Sequence, residues 1–491
     1  MILKFERDFI FAVYTMRQRL LLFFILISGS LGAWAQGPTD STEKVLEEVV
    51  ITGTRTENSV RNLPMPIQVI SAGTIAQTGI ENLLDLLQMK TGLVVAINPL
   101  GVSLQGYPNP FGTGIQMQGL DPAYTLILID GEPLTGRNAG ILDLGRIALG
   151  NIKQIEILRG PATSLYGSDA LAGVINIITQ EPVKNSLNGR LHYGSNNEQA
   201  LSLTGSVKLK KTSLELLARR FSNNGWDYQK DIYGKTMDPY RNTSLNLKSV
   251  TKIDSRNTLV FSGRYFVQRQ FNDYLIAPDN VPEVVTGTTI EDDKSIYGKW
   301  DHKINNRFSY ITSLYATGFK NNSGAFLEKN DSLYEKITLS QLLLRPEIQV
   351  NYGKKGQEWV TGAGYNYESI NSNRYSSIKR MDAWFAYLQR QITFSNSVNI
   401  IAGARFDKNS LYDAQLSPKF AAAYKVTPDI ILKASVGAGF KAPDFRQQFL
   451  DFSNSLVGYT IIGARELGNG LERLQNSGLL SKGIDISSYI G

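Results

Sequence analysis

IQMQGLDPAYTLILIDGEPLTGRNAGILDLGRIALGNIKQIEILRGPATSLYGSDALAGVINIIT, residues 115–179, is the stretch whose reading decides the fold. Three apolar runs lie in it, Thr125–Ile129, Ile152–Leu158 and Gly173–Ile178. Each is bounded by Gly, Pro, Asp or Asn, the pattern of buried strands separated by tight turns. Asp130-Gly131 closes the first run as a hairpin-type turn. Arg159-Gly160-Pro161 closes the second, and the small residues Ser168–Gly173 lead into the third. These residues alone predict a compact α/β or mixed unit of modest size.

Three segments of this stretch also carry a resemblance. Ile129–Pro133, Ile155–Gly167 and Ala172–Thr179 resemble, in order, the "IDG(V/E)P" turn, the "IE(V/I)xRGPxSxLYG" segment and the "GGVINIIT" strand of the plug domain of TonB-dependent outer-membrane receptors. The resemblance implies an α/β plug inside an antiparallel transmembrane β-barrel.

The chain of 491 residues is too long for one ordinary domain. It has 44 Gly, 23 Tyr, 21 Phe and no Cys. Glycine with aromatics suits many strands and interfacial girdles. The lack of Cys excludes a disulfide framework, thiolate metal sites, a Cys nucleophile and a lipid-modified mature N-terminus. The net charge of +7 is scattered and forms no basic block, so nucleic acid is not an expected partner. No run after residue 30 approaches the length of a membrane-spanning helix, so a membrane span here must be a barrel.

Residues 16–35 read as a secretory signal. Arg17 and Arg19 are its charged start, Leu20–Ile27 its apolar core, and Ala33-Trp34-Ala35 a cleavage site before Gln36. Met16 is the more natural start. A polar lead follows, and then Glu48-Val49-Val50-Ile51-Thr52, a β-prone run beside acidic residues. Read plainly, it is an edge strand; it also resembles the TonB box. The resemblance implies that this segment pairs with the TonB energy-transducing complex in the periplasm, by strand addition. The short lead leaves little room for a further N-terminal domain.

The expected division is leader and signal over 1–35, linker with TonB box over 36–58, plug over 59–182 and barrel over 183–491. The plug opens with a strand over Leu63–Ile70, whose prolines stand only at its start. Ser71 then caps a helical entry, and the Leu-rich helix Ile80–Met89 and the strand Leu93–Ile97 follow. In the Gly/Pro/Asn-rich segment 98–114, Tyr107 and Phe111 either contact ligand or anchor the loop. Arg137, Arg146 and Arg159 are candidates to tie plug to barrel carboxylates, an arrangement the family uses. Arg159 leads because it stands in the matching RGP motif; an ordinary surface salt bridge is the plainer reading. Ion pairs, rather than a greasy seam, would suit a plug that must shift.

After Ser186 the texture alternates. Ile430, Leu432, Ala434 and Val436 share one face against Lys433, Ser435 and Gly437, and Val398, Ile400, Ala402, Ala404 and Phe406 do the same. Apolar-out, polar-in at period two is the outer-membrane barrel pattern. Tight turns near 210–212, 254–256, 305–306, 354–356, 395–396 and 427–428 alternate with longer loops over 222–240, 270–293, 320–333, 371–377 and 407–415. About thirteen strands precede Phe440, against the 22 of plugged transporters. The barrel is therefore expected to be incomplete, its C-terminal strands missing, with 444–491 one long loop that could run into the start of a next strand. Phe440-Lys441-Ala442-Pro443 resembles the family's "FRAP" motif.

The resemblance implies TonB-dependent import of a scarce solute, a ferric siderophore, cobalamin or haem, with outer-membrane lipid around the wall and no cofactor or metal. A surface receptor or adhesin that binds without transport is the alternative. A barrel enzyme finds little support, since only His192 and His302 exist and neither adjoins a nucleophile motif.

Overall fold

The computed structural model describes residues 48–480, apart from 92, 98–112, 138–141, 229, 232, 278–280, 355, 395–396, 428 and 455–458. Tyr107 and Phe111, the leader, the signal segment and residues 481–491 lie outside the described residues.

The N-terminal unit is built on a mixed sheet. Its strands are β1 (Val49–Val50), β2 (Asn58–Ser59), β3 (Ile67–Ser71), β4 (Val94–Ile97), β5 (Thr113–Gln116), β6 (Thr125–Ile129), β7 (Glu132–Pro133), β8 (Ile152–Arg159) and β9 (Gly173–Thr179). Five of them pair in the order β3-β8-β9-β6-β7, with β6 and β9 parallel and the other pairs antiparallel. Asp130 and Gly131 both adopt positive φ, the backbone that a two-residue hairpin turn with right-handed strand twist requires. At Gly173 any Cβ would lie 2.3 Å from the Leu158 carbonyl oxygen, so only glycine lets β9 approach β8 there.

Helix α1 (Ala72–Thr78) starts at Ser71, whose hydroxyl accepts from the Thr74 N–H, and ends at Gly79 in the left-handed region. Helix α2 (Leu83–Thr91) buries Leu83, Leu86 and Leu87 against Ile155, Ile157, Ile175 and Ile177 of the sheet. This is the core packing expected of its Leu spacing.

The remainder is one antiparallel sheet of 13 strands paired strictly in sequence order, β10 to β22, with β10 and β22 at its two ends. The strands are β10 (Ser186–Gly194), β11 (Glu198–Lys208), β12 (Thr212–Asn223), β13 (Tyr240–Lys252), β14 (Asn257–Ile276), β15 (Glu283–Asn305), β16 (Phe308–Leu327), β17 (Ser332–Lys354), β18 (Gln357–Ser372), β19 (Lys379–Phe394), β20 (Val398–Asn409), β21 (Gln415–Lys425) and β22 (Ile431–Gly437). Leu342, Leu344 and Ile348 are exposed on one face, while Leu343, Arg345 and Glu347 are buried on the other. That is the alternation of a wall whose outer face meets lipid.

Two expectations about loops need correction. Strands β14 to β17 run 20 to 23 residues, about twice what a tilted strand needs to cross a membrane. Most of 270–293 and 320–333 is therefore paired strand rather than loop. The Thr- and Val-rich segments there keep their register across the hairpins. Residues 444–480 likewise form structure: a short helix α3 at Thr163–Tyr166 precedes them in the plug unit, and beyond the wall lie α4 (Phe445–Phe449), the hairpin β23 (Asp451–Asn454) with β24 (Tyr459–Ile462), and α5 (Leu467–Asn476). The Asp444 side chain and Gln447 make a reciprocal capping box that starts α4.

Candidate functional site: the seam between plug and wall

Strands from β10 to β22 all reach the small unit, so the sheet wraps it. Arg190 on β10 and Arg219 on β12 pair with Glu81 at 2.9 and 3.3 Å. Lys248 on β13 pairs with Asp130 at 3.2 Å. Arg345 on β17 lies 3.7 Å from Glu132, and Lys433 on β22 donates to the Val60 carbonyl at 3.0 Å. Beyond β22, Lys441 bonds Asp169 at 2.7 Å, and Arg137 lies 3.7 Å from the same carboxyl. Burial would raise the Asp169 carboxyl, but Lys441 and Arg137 outweigh it and hold it below the ordinary carboxylate range.

Arg146 crosses the seam. Its guanidinium is fully buried, donates to Asp293 of β15 at 2.9 Å and to the Thr135 carbonyl at 2.8 Å, and lies over the Phe319 ring. Asp293 also takes two bonds from Arg264 of β14, at 2.8 and 2.9 Å. Arg137 donates to carbonyls of its own unit, Pro122 and Thr125. Arg159 ends β8, where its backbone N–H donates to the Pro66 carbonyl.

The segment Glu48–Thr52 is docked rather than trailing. Val49 and Val50 pair with Ser59 and Asn58 in a two-residue ladder. The carboxylate of Glu156, on β8 and fully buried, accepts from the Ile51 N–H at 3.0 Å, the Thr52 N–H at 2.8 Å and the Thr52 hydroxyl at 2.5 Å. Asn176 donates to the Thr52 hydroxyl and accepts from the Gly131 N–H, and the Tyr166 hydroxyl donates to the Thr52 carbonyl. Just beyond, Arg55 pairs with Glu347 of β17, donates to the Tyr387 hydroxyl at 2.9 Å and stacks on the Tyr166 and Tyr387 rings. Burial works against the Arg55 charge, but Glu347 and the two tyrosines outweigh it and raise its pKa further.

Residues 59–174 match the TonB-dependent receptor plug domain, and residues 178–472 match the TonB-dependent receptor-like β-barrel. The chain belongs to the TonB-dependent receptor family. Among curated proteins, the vitamin B12 transporter of Photobacterium profundum is 24% identical over 416 residues, covering 82% of this chain and 63% of the transporter. The iron-regulated outer membrane virulence protein of Vibrio cholerae is 23% identical over 469 residues, covering 89% and 66%. Thus the receptor spans about two thirds of the length of the curated relatives it matches. Among solved structures, the ferric enterobactin receptor of Pseudomonas aeruginosa superposes with TM-score 0.63 at 16% identity, covering 78% of this chain and 64% of that one. The siderophore receptor PirA of the same organism gives 0.59 at 19%, covering 81% and 68%. These relatives are transporters and receptors of the outer membrane rather than enzymes, and the receptor is an outer-membrane protein. Among the described residues no helix is long and apolar enough to cross a membrane.

The receptor corrects one expectation about its seam, which is greasy along part of its length. Val360, Phe385, Ile401 and Ala421 of the wall share an apolar cluster with Leu126, Leu165 and Val174 of the plug. Ile401 and Ala421 point inward, against the polar-in rule, because they face plug side chains rather than water.

Glu132 offers a test by pH. Burial pushes its carboxyl from 4.5 up to about 7, with Arg345 pulling the other way. The folded state then holds a proton between those values that the unfolded chain has released. Its contribution favours folding below about pH 4.5 and is lost as pH rises through about 7. Glu132→Gln is expected to flatten the fall in Tm between pH 5 and pH 8; an unchanged slope would assign the pH dependence to other groups.

Proposed function

We propose that the receptor performs TonB-dependent import of a scarce solute across the outer membrane. Residues 1–35 serve as leader and signal, 36–58 as linker with box, 59–182 as plug and 183–491 as part of the barrel. The observation that supports it is the docking of Glu48–Thr52: the buried Glu156 carboxylate, a two-residue ladder and bonds from Tyr166, Asn176 and Gln154 hold the segment, with no covalent tie. Released, its backbone is free to pair with an edge strand of the periplasmic TonB complex. Ion pairs across much of the seam support a plug that is seated yet can be shifted.

The cargo we infer is an iron chelate, such as a ferric siderophore, or cobalamin. Relatives named as a vitamin B12 transporter and a ferric enterobactin receptor support both. Haem gains less support. His192 bonds Glu198 at 3.1 Å, and His302 packs among Trp300 and Tyr310, an arrangement that presents no pair of facing axial ligands.

Cells whose own receptor gene is deleted, then complemented, should regain growth on the cognate iron chelate or cobalamin. Removing residues 48–52 should return uptake to background while surface binding persists. Uptake unchanged by that deletion would favour the non-transporting surface receptor.

A further inference from the structure

The outer face of the wall is uneven near its short turns, the end that barrels of this kind turn toward the periplasm. An open groove of about 530 Å³ lies there across β13 to β16. Two cross-strand rows build it. In one, Phe261 pairs with Ser249 and Gly298, and Gly298 with Leu314. In the next, Leu259 pairs with Thr251 and Trp300, and Trp300 with Thr312. Leu259, Phe261, Trp300 and Leu314 are exposed, while the adjacent Val260 and Tyr315 are buried on the inner face. Small residues between the large ones leave the dent. A Cβ on Gly298 would meet nothing within 4 Å, so the space above that residue is open.

One row nearer the turns the lining becomes amphipathic. Asn257 pairs with His302, and His302 with Tyr310. The Asn257 side-chain oxygen accepts from Trp300 Nε1 at 3.1 Å and from His302 Nδ1 at 2.7 Å, while its amide nitrogen donates to Asp254. The Tyr310 ring packs beside both, with centroids 5.6 and 5.0 Å away. Beyond that row stand exposed cations, Lys252 and Arg256 on one turn and Lys303 and Arg307 on the next. Lys211 reaches over from a third turn to the Ile253 carbonyl at 2.7 Å. Asp254, the acid among them, already accepts from the Arg256 and Asn257 N–H groups at 2.7 Å. At the opposite end of the wall acids answer cations, as Glu335 does Arg374 and Asp451 does Arg473.

We propose that this groove binds one anionic phospholipid of the periplasmic leaflet. Its acyl chain lies over Gly298, its glycerol oxygens meet the Asn257–His302–Tyr310 row, and its phosphate sits among the turn cations. The proposal goes beyond the import reading and does not depend on which solute is carried. Apolar groove, amphipathic rings and cations follow one another at about 7 Å per row, in the order of acyl chain, interface and phosphate. Tryptophan and tyrosine settle at headgroup level because their rings are part apolar and part polar. Basic side chains at that level attract anionic lipid, whereas a zwitterionic headgroup brings a cation of its own that competes with them. An acidic protein would match the cations and have no use for the groove.

In the receptor purified in a mild nonionic detergent, native mass spectrometry should show phosphatidylglycerol held at least tenfold more tightly than phosphatidylcholine with the same chains. Lys252→Gln, Arg256→Gln, Lys303→Gln and Arg307→Gln together should abolish that preference. Gly298→Leu fills the groove without altering a charge, and should weaken retention of phosphatidylglycerol at least threefold. Equal retention of the two lipids by the unaltered receptor, a preference that survives the four substitutions, or full retention in Gly298→Leu would each overturn the site. A phosphatidylglycerol with a photoreactive acyl chain tests it without any substitution. It should mark residues 257–261 and 296–314 ahead of the rest of the wall; marking spread evenly around the wall would overturn the proposal.

Discussion

Asp293→Ala is expected to cost the seated plug about 3–5 kcal/mol, the loss typical of stranding a buried charge without its partner. The reason is that one carboxylate serves two cations. Arg146 of the plug and Arg264 of the wall both bond it, and neither the Asp293 side chain nor that of Arg146 has access to water. Removing it leaves Arg146 with the Thr135, Gly136 and Asp143 carbonyls and the Phe319 ring, none of which carries a negative charge. Arg146→Met should cost less, because Asp293 keeps its two bonds from Arg264. The double variant should recover part of the single Asp293→Ala loss, since no cation from the plug is then stranded. Urea unfolding followed by amide exchange over residues 142–159 would measure all three. A loss below about 1 kcal/mol for Asp293→Ala, the level of an exposed pair, would show that the seam is wetter there than its burial implies.

Much of the fold is legible in residues 115–179, because a buried strand between tight turns leaves a strong local signature. The runs Thr125–Ile129, Ile152–Leu158 and Gly173–Ile178 match β6, β8 and β9 to within a residue. The thirteen wall strands are legible for a similar reason: alternation of apolar and polar residues is imposed by lipid on one side and water or plug on the other. What alternation cannot reveal is where pairing stops. Thr286, Thr288 and Thr289 look like loop residues, yet they pair with Phe326, Gly324 and Ser323 because a threonine fits a pleated ladder as readily as a polar loop.

The seam itself was legible in part. Arg146 was identifiable as an arginine in the right unit, but its partner lies 147 positions away and nothing local marks it. Asp130 and Glu132 stand in the turn motif and read as turn residues, though each also faces a wall cation. Ile401 carries a signal that could have found the apolar flank. It is an aliphatic residue at an inward position of an otherwise alternating strand, and inward apolar positions in a barrel need something dry to face.

Glu156 carried such a signal too, an acidic residue flanked by Ile155 and Ile157 in the apolar half of its strand. Its replacement by alanine is expected to free the Glu48–Thr52 segment. Three donors from Ile51 and Thr52 converge on that carboxylate, and hydrogen bonds to a charged acceptor contribute about 1.5–3 kcal/mol each. What remains is a ladder of two residues, the Tyr166 and Asn176 bonds to Thr52, and the bond from Gln154 to the Val49 carbonyl. Losing even two of the charged bonds, about 3 kcal/mol, shifts the docked-to-released ratio by more than a hundredfold. A spin label at Val49→Cys should pass from immobilised to mostly mobile in Glu156→Ala without added ligand. Glu156→Gln should be intermediate, since its amide keeps one acceptor oxygen, loses the charge and turns the other position into a donor facing N–H groups. An immobile label in Glu156→Ala would mean that the two-residue ladder and the neighbouring Arg55–Glu347 pair hold the segment by themselves, and that release is governed from the wall rather than from β8.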